Sequence, residues 1–203
     1  MNDSPDVPAL RTERLLLRGF VLNDLDALAA IFADPEVMRF IRCGARTYAQ
    51  TKEHLACYIR EWDTRGYGVW AVTARDDSNE IAMPDARGGL GGPALLGICG
   101  FVARAELGYI LSRAAWGRGL ATEAARACLR FGFDTLGFDE IGAGALASNI
   151  GSRHVIEKLG FRRCPDPYFD GNGGVYYRRQ RESGAPEPAR HTDDGAATRG
   201  APR

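Results

Sequence analysis

Gly117-Arg118-Gly119 runs without a break into Leu120-Ala121-Thr122-Glu123-Ala124-Ala125, so a glycine-rich loop leads straight into a strong helix-forming run. Helix starts leave backbone N–H groups unpaired and carry a partial positive charge. Glycine lets an anion come close to those groups, Arg118 adds a guanidinium that can grip two oxygens at once, and Thr122 adds a hydroxyl. A turn that merely needs glycine geometry would look the same in isolation. The run lacks both the Gly-Lys-Ser/Thr ending of an ATP-binding P-loop and the third glycine of a dinucleotide fingerprint.

Around this loop the chain reads as one α/β domain. Leu15-Leu16-Leu17-Arg18-Gly19-Phe20 suits a buried strand, where order is expected to begin. Asn23 or Asp24 caps a following helix that Pro35 stops, and residues 48–65 form a second, amphipathic helix ended by Gly66. Strands are expected over 67–74, 95–103, 106–111, 140–146, 161–165 and 175–181, with helices over 120–136 and 149–159, the last ended by Gly160. This order predicts a sheet of mixed direction with helices on both faces. Residues 1–11, with Pro5 and Pro8, read as a flexible arm and 12–181 as the domain. Residues 75–93 read as a mobile hairpin insertion, and 182–203, with no apolar residue larger than alanine, as a disordered tail.

With 203 residues and 45% hydrophobic content, the chain has ample material for one core. Lys+Arg and Asp+Glu both number 26, so no global field points to nucleic acid or an anionic membrane. No apolar run is long enough to span a bilayer and the start, MNDSPDVPAL, has no leader pattern, so a cytoplasmic location is expected. Cys43, Cys57, Cys99, Cys128 and Cys164 are scattered with no metal-ligand spacing, and no metal is expected.

The strand Ala105-Glu106-Leu107-Gly108-Tyr109-Ile110-Leu111, the loop Trp116-Gly117-Arg118-Gly119-Leu120-Ala121-Thr122, and Asn149-Ile150-Gly151-Ser152-Arg153 with Glu157-Lys158-Leu159-Gly160-Phe161 together resemble the GNAT N-acetyltransferase superfamily. Thr12-Glu13-Arg14-Leu15-Leu16-Leu17-Arg18 and Asp34-Pro35-Glu36-Val37 look like its RimJ/RimL branch, so the resemblance covers residues 12–181. It implies a GNAT-like mixed, splayed central sheet of about six to seven strands. It also implies acetyl-CoA as acyl donor, an amine as acceptor (a protein N-terminus or a small molecule), and dimerisation as an option.

Carried onto this chain, the resemblance implies that Ile110, Leu111 and Ser112 offer main-chain contacts to pantetheine. The amides of Gly117, Arg118, Gly119, Leu120, Ala121 and Thr122 would hold pyrophosphate. Asn149 and Ser152 match the helix-start pair that faces the coenzyme, although both are also good helix caps. Ile156 stands where many members carry a tyrosine that acts as general acid, which leaves Ser152 to assist the departing thiolate or the thiolate to leave unassisted. Glu106 is the candidate base that deprotonates the amine, with an arginine-paired strand-edge carboxylate as the plainer reading. His54 falls in the helix that lines the acceptor wall in relatives. The competing function is a non-catalytic acyl-CoA-binding sensor or partner module, to which the missing tyrosine lends support.

Overall fold

The computed structural model describes residues 7–75, 94–103 and 105–182. The expected insertion and tail fall outside these residues, except at Arg75 and Glu182. The described chain forms an eight-stranded sheet in the order β1-β2-β3-β4-β5-β6-β8-β7. Its strands are β1 (Leu10–Arg11), β2 (Leu15–Arg18), β3 (Val69–Ala74), β4 (Leu95–Ala103), β5 (Glu106–Leu111), β6 (Glu140–Leu146), β7 (Arg162–Cys164) and β8 (Gly174–Gln180). Every neighbouring pair is antiparallel except β5 and β6, so the sheet is mixed, as expected.

Alternation along the central strands, shifted by one residue in β4 at a bulge opposite Val72 and Thr73, divides the core into two layers. Val69, Ala71, Leu95 and Ile98 face Leu28 and Phe32 of α1 (Leu25–Ala33) and Leu55 of α3 (Tyr48–Arg65). Trp70, Val72, Leu96, Cys99 and Phe101 lie in the other layer, with Leu120, Ala124 and Cys128 of α4 (Leu120–Arg130) and Ile156 of α5 (Ile150–Lys158). Trp70 is the pivot of this second layer. It makes edge contacts with Trp62 at 4.6 Å and Phe131 at 5.3 Å, and its indole N–H donates to the Pro8 carbonyl at 2.8 Å.

That last bond bears on the strand count. Leu10 and Arg11, expected in a flexible arm, pair with Leu17 and Leu16 as an eighth strand, one or two more than anticipated. Two residues on an edge carry too little periodicity to reveal a strand, and the tie to Trp70 is non-local. Three boundaries also differ. α1 ends at Ala33, and Pro35 opens rather than stops a helix: Asp34 accepts the Glu36 N–H at 2.9 Å and caps α2 (Pro35–Met38), with proline at the first helical position. The helix expected to reach residue 136 becomes a π-turn over Phe131–Thr135, closed by Leu136 N–H to the Phe131 carbonyl at 3.0 Å. A short helix, α6 (Pro167–Asp170), lies within the turn-rich segment before β8. Among the described residues no helix is long and apolar enough to cross a membrane.

Candidate functional site

β5 and β6 share one register pair, Glu106 with Gly142, supported by Gly142 N–H to the Ala105 carbonyl at 3.1 Å. Beyond it they part. β5 remains paired with β4 as far as Leu111, opposite Gly97, and β6 with β8 as far as Leu146, opposite Gly174. The result is a gap in the middle of a sheet, with the β5 edge from Leu107 to Leu111 unpaired toward β6. An unsatisfied strand edge of this kind is suited to an extended ligand that adds main-chain hydrogen bonds.

The chain leaving β5 is fixed at several points. Ser112 N–H donates to the Leu96 carbonyl at 2.8 Å, Arg113 pairs with Asp34 at 2.8 Å, and the Trp116 indole N–H returns to the Leu111 carbonyl at 2.8 Å. Gly117 and Gly119 then take positive φ values of 71° and 76°, the left-handed region that side chains resist. Gly119 caps α4, and the first bond of the helical ladder runs from Glu123 N–H to the Gly119 carbonyl at 3.0 Å. The amides of Leu120, Ala121 and Thr122 precede that bond, so they lie at the positive end of the helix without ladder partners.

Glu123 holds this corner together. It accepts the Thr12 hydroxyl at 2.6 Å, the Arg14 backbone N–H at 2.9 Å and the Arg14 guanidinium at 2.7 Å. Arg14 Nη1 also donates to the Arg118 carbonyl at 3.0 Å, tying the loop to the N-terminal hairpin. Burial pushes the Glu123 carboxyl up, but the bonds from Thr12 and Arg14 outweigh it and hold the group below its ordinary value. The first-turn position suits the helix dipole, as the sequence suggested, yet these side-chain partners are the larger reason for the residue. A cavity of about 380 Å³ opens beside Gly119 and Thr122 and is lined by Arg14, Arg126, Arg130 and Lys158 against Glu13 and Glu123, the last already paired with Arg14, so the balance is positive and suits a phosphate-bearing ligand.

At the other side of the gap Asn149 caps α5, its Oδ1 accepting the Ser152 N–H at 3.1 Å. The Ser152 hydroxyl lies 3.0 Å from the Tyr109 hydroxyl of β5. Burial raises the Tyr109 phenol above its ordinary range, against a smaller opposing effect of the Ser152 bond, so the phenol stays protonated at neutral pH. Ile156, at the position of the absent tyrosine, is buried in the core. Tyr109 was not singled out from the sequence, because nothing in local spacing links it to a residue 43 positions away.

Glu106 accepts the Tyr176 hydroxyl at 3.1 Å. No arginine pairs with it among the described residues, so the strand-edge ion pair is not what holds it. Tyr176 stacks on Phe169 of α6 with centroids 4.9 Å apart, and burial followed by the nearby Glu106 charge pushes its phenol far up. Gly142 makes room for it, since a Cβ there would overlap the Tyr176 hydroxyl. Glu106 and Tyr109 are three residues apart on one strand, so their side chains take opposite faces. The structure therefore joins Asn149, Ser152 and Tyr109 on one face, and places Glu106 with Tyr176 on the other.

Among the described residues no group of three or more His, Cys, Asp or Glu side chains could hold a metal ion. Cys99 and Cys128 approach to 3.7 Å in the core, where burial raises the Cys128 thiol well above its ordinary value and keeps it unreactive.

Comparison with known proteins agrees with this geometry. The family model described as acetyltransferase (GNAT) domain matches residues 14–162. The YkkB protein of Bacillus subtilis is 35% identical over 162 residues, covering 74% of this chain and 83% of its own. An acetyltransferase structure from Agrobacterium tumefaciens superposes with a TM-score of 0.70 at 25% identity, covering 89% of this chain and 99% of that one. The structure of RimL, a ribosomal L7/L12 alpha-N-protein acetyltransferase in complex with coenzyme A, gives a TM-score of 0.66 over 85% of this chain and 98% of that one; at 14% identity it attests the fold alone. The chain belongs to the GNAT acetyltransferase family and is an acyltransferase.

Proposed function

We propose that the protein transfers the acetyl group of acetyl-CoA directly to a primary amine, either a protein N-terminus or a small molecule, within the RimJ/RimL-like branch. The observation that carries this reading is the gap between β5 and β6 opening beside the left-handed Gly117 and Gly119 at the head of α4. An extended arm ending in a pyrophosphate fits both halves at once. The donor supplies an activated thioester when bound. The amides of residues 117–122 hold the pyrophosphate, and the free edge at Ile110 and Leu111 pairs with the arm. Ser112 uses its N–H on Leu96 and its carbonyl on Ala115, and contributes its hydroxyl, which is buried without a hydrogen-bond partner. Asn149 acts through the cap that fixes Ser152.

The proton steps divide between the two faces. Glu106, supported by the Tyr176 hydroxyl, accepts the proton lost by the attacking amine, directly or through a water. Ser152 donates its hydroxyl proton to the sulfur as the carbon–sulfur bond breaks, and Tyr109 passes its proton to the Ser152 oxygen. Once the products leave, the Tyr109 phenolate regains a proton from solvent through the open gap, as Glu106 gives its proton up to solvent. No acyl-enzyme is required, because neither face presents an activated nucleophile. A thiol-release assay with acetyl-CoA and a panel of amines and peptides tests the reading. Turnover that drops about a hundredfold or more in Glu106→Gln is expected. Tight acetyl-CoA binding with no turnover on any acceptor, and no effect of that substitution, would instead make the protein a non-catalytic acyl-CoA-binding module, the reading to which the buried Ile156 lends support.

A further inference from the structure

Arg46 lies in the segment between α2 and α3. Its N–H donates to the Phe32 carbonyl at 2.9 Å and its guanidinium covers the Phe32 ring, 4.9 Å from the centroid. The Nη1 atom is buried and has no hydrogen-bond partner. Among the described residues no carboxylate lies within ion-pair distance of Arg46. Of the acids on the surrounding elements, Asp34 is engaged with Arg113 at 2.8 Å, Asp26 with the Tyr48 hydroxyl at 2.8 Å and Glu61 with Arg65 at 3.7 Å, while Glu53 of α3 acts on His54 and lies outside ion-pair distance of Arg46. A desolvated guanidinium donor without an acceptor is costly, and native proteins seldom leave one unless an ordered water, an ion or a ligand completes it.

The neighbours of Arg46 are neutral hydrogen-bonding groups. His54 and Tyr58 stand one turn apart on α3, with ring centroids 6.1 Å apart. Burial, then the charge of Arg46, lowers the His54 pKa, so the ring is neutral near pH 7. Burial raises the Tyr58 phenol, and the smaller opposing effect of the nearby Arg46 charge does not reverse it, which leaves a protonated hydroxyl. Tyr58 packs in the same apolar layer as Ile110 of β5. By strand alternation Ile110 shares its face with Gly108 and Glu106. Arg46 thus borders the same face of the sheet as the proposed base.

We infer that Arg46, flanked by Tyr58 and His54, binds a carboxylate carried by the acceptor, so the acceptor class is an amine that also bears an acidic group. The inference rests on the proposal that the Glu106 face receives the amine. A guanidinium meets a carboxylate with two parallel hydrogen bonds, which an amide or a second ammonium cannot reproduce.

The test uses acceptors in matched pairs that differ only in a carboxylate or its amide, namely free amino acids against their amides and short peptides with an acidic or amidated side chain. Thiol-release kinetics are compared for the wild type, Arg46→Gln and Arg46→Lys, with thermal melts confirming folding. The wild type is expected to favour the carboxylate members by about tenfold or more in kcat/KM. Arg46→Gln erases that preference without changing KM for acetyl-CoA, while Arg46→Lys keeps part of it. Equal rates within each pair, or a preference that survives Arg46→Gln, overturns the carboxylate site and leaves acetyl transfer standing. If no acceptor turns over, calorimetric titration of the carboxylate amines decides: binding that Arg46→Gln abolishes supports the site and removes only the catalytic reading, and absence of binding overturns the site itself.

Discussion

The hydroxyls of Tyr109 and Ser152 lie 3.0 Å apart and bridge the unpaired edge of β5 to the first turn of α5. Three features converge on this contact. Asn149 orients the Ser152 backbone, burial keeps the Tyr109 phenol protonated, and a buried isoleucine, Ile156, stands one turn further along where the family resemblance would put a tyrosine. A tyrosine hydroxyl is therefore still present near the head of α5, delivered from the opposite strand.

Tyr109→Phe and Ser152→Ala are each expected to lower kcat about 10- to 100-fold with little change in KM for acetyl-CoA. Because the two hydroxyls act in series, the double variant should be no slower than the slower single one. The wild type should show no alkaline decline from this pair below pH 10.0, the ordinary tyrosine value, since burial moves Tyr109 upward from it. Additive losses, or a raised KM with an unchanged kcat, would reduce Tyr109 to a packing residue.

Glu123→Gln tests the corner that joins the N-terminal hairpin to α4. The folded-state pKa of Glu123 lies below the ordinary 4.5, so its contribution to stability is complete above that value and disappears as pH falls through the folded-state pKa. The side chain is 16% exposed, so screening is modest. The variant should lose about 1.5–3 kcal/mol at neutral pH, and the gap to the wild type should close as pH falls below 4.5. Melts over that range measure it; a gap that persists in acid would mean that shape rather than charge is responsible.

The loop and the strands that flank the gap were legible in the sequence because each rests on a local rule. Gly117 and Gly119 are needed for positive φ, and the helix-forming run begins directly after them. Features that depend on distant partners were not legible. Leu10 and Arg11 become a strand because β2 and Trp70 are there to meet them, and Tyr109 meets Ser152 only once the fold is complete. Pro35 misled for a different reason. Proline ends one helix and starts another with equal ease, and only the Asp34 side-chain bond to Glu36 N–H decides between them.

Gly119→Ala and Gly117→Ala isolate backbone conformation from space. A Cβ at Gly117 meets nothing within 4 Å, and one at Gly119 meets only Arg14 Nη2 at 3.7 Å, so the cost is the left-handed φ itself, about 1–2 kcal/mol. If these amides bind pyrophosphate, that strain should raise KM for acetyl-CoA about 5- to 30-fold with a smaller change in kcat. Asparagine tolerates this region better than alanine, and Gly119→Asn should recover part of the loss. A fall in kcat at constant KM would move the phosphate site elsewhere.

Gly142→Ala probes the support of Glu106 without touching it. Gly142 is the β6 partner of Glu106 in the sheet, and a Cβ there would overlap the hydroxyl that Tyr176 donates to the carboxylate. Tyr176 has little room to yield, because Phe169 stacks on its ring. The substitution should cost about 1–3 kcal/mol through overpacking and lower kcat by displacing the donor. Tyr176→Phe removes the same hydrogen bond without crowding, so it separates the two effects. A matching loss of kcat with near-normal stability would show that the bond orients Glu106, whereas normal kcat in Tyr176→Phe would leave Gly142 with a packing role alone and would require Glu106 to be positioned by the strand itself.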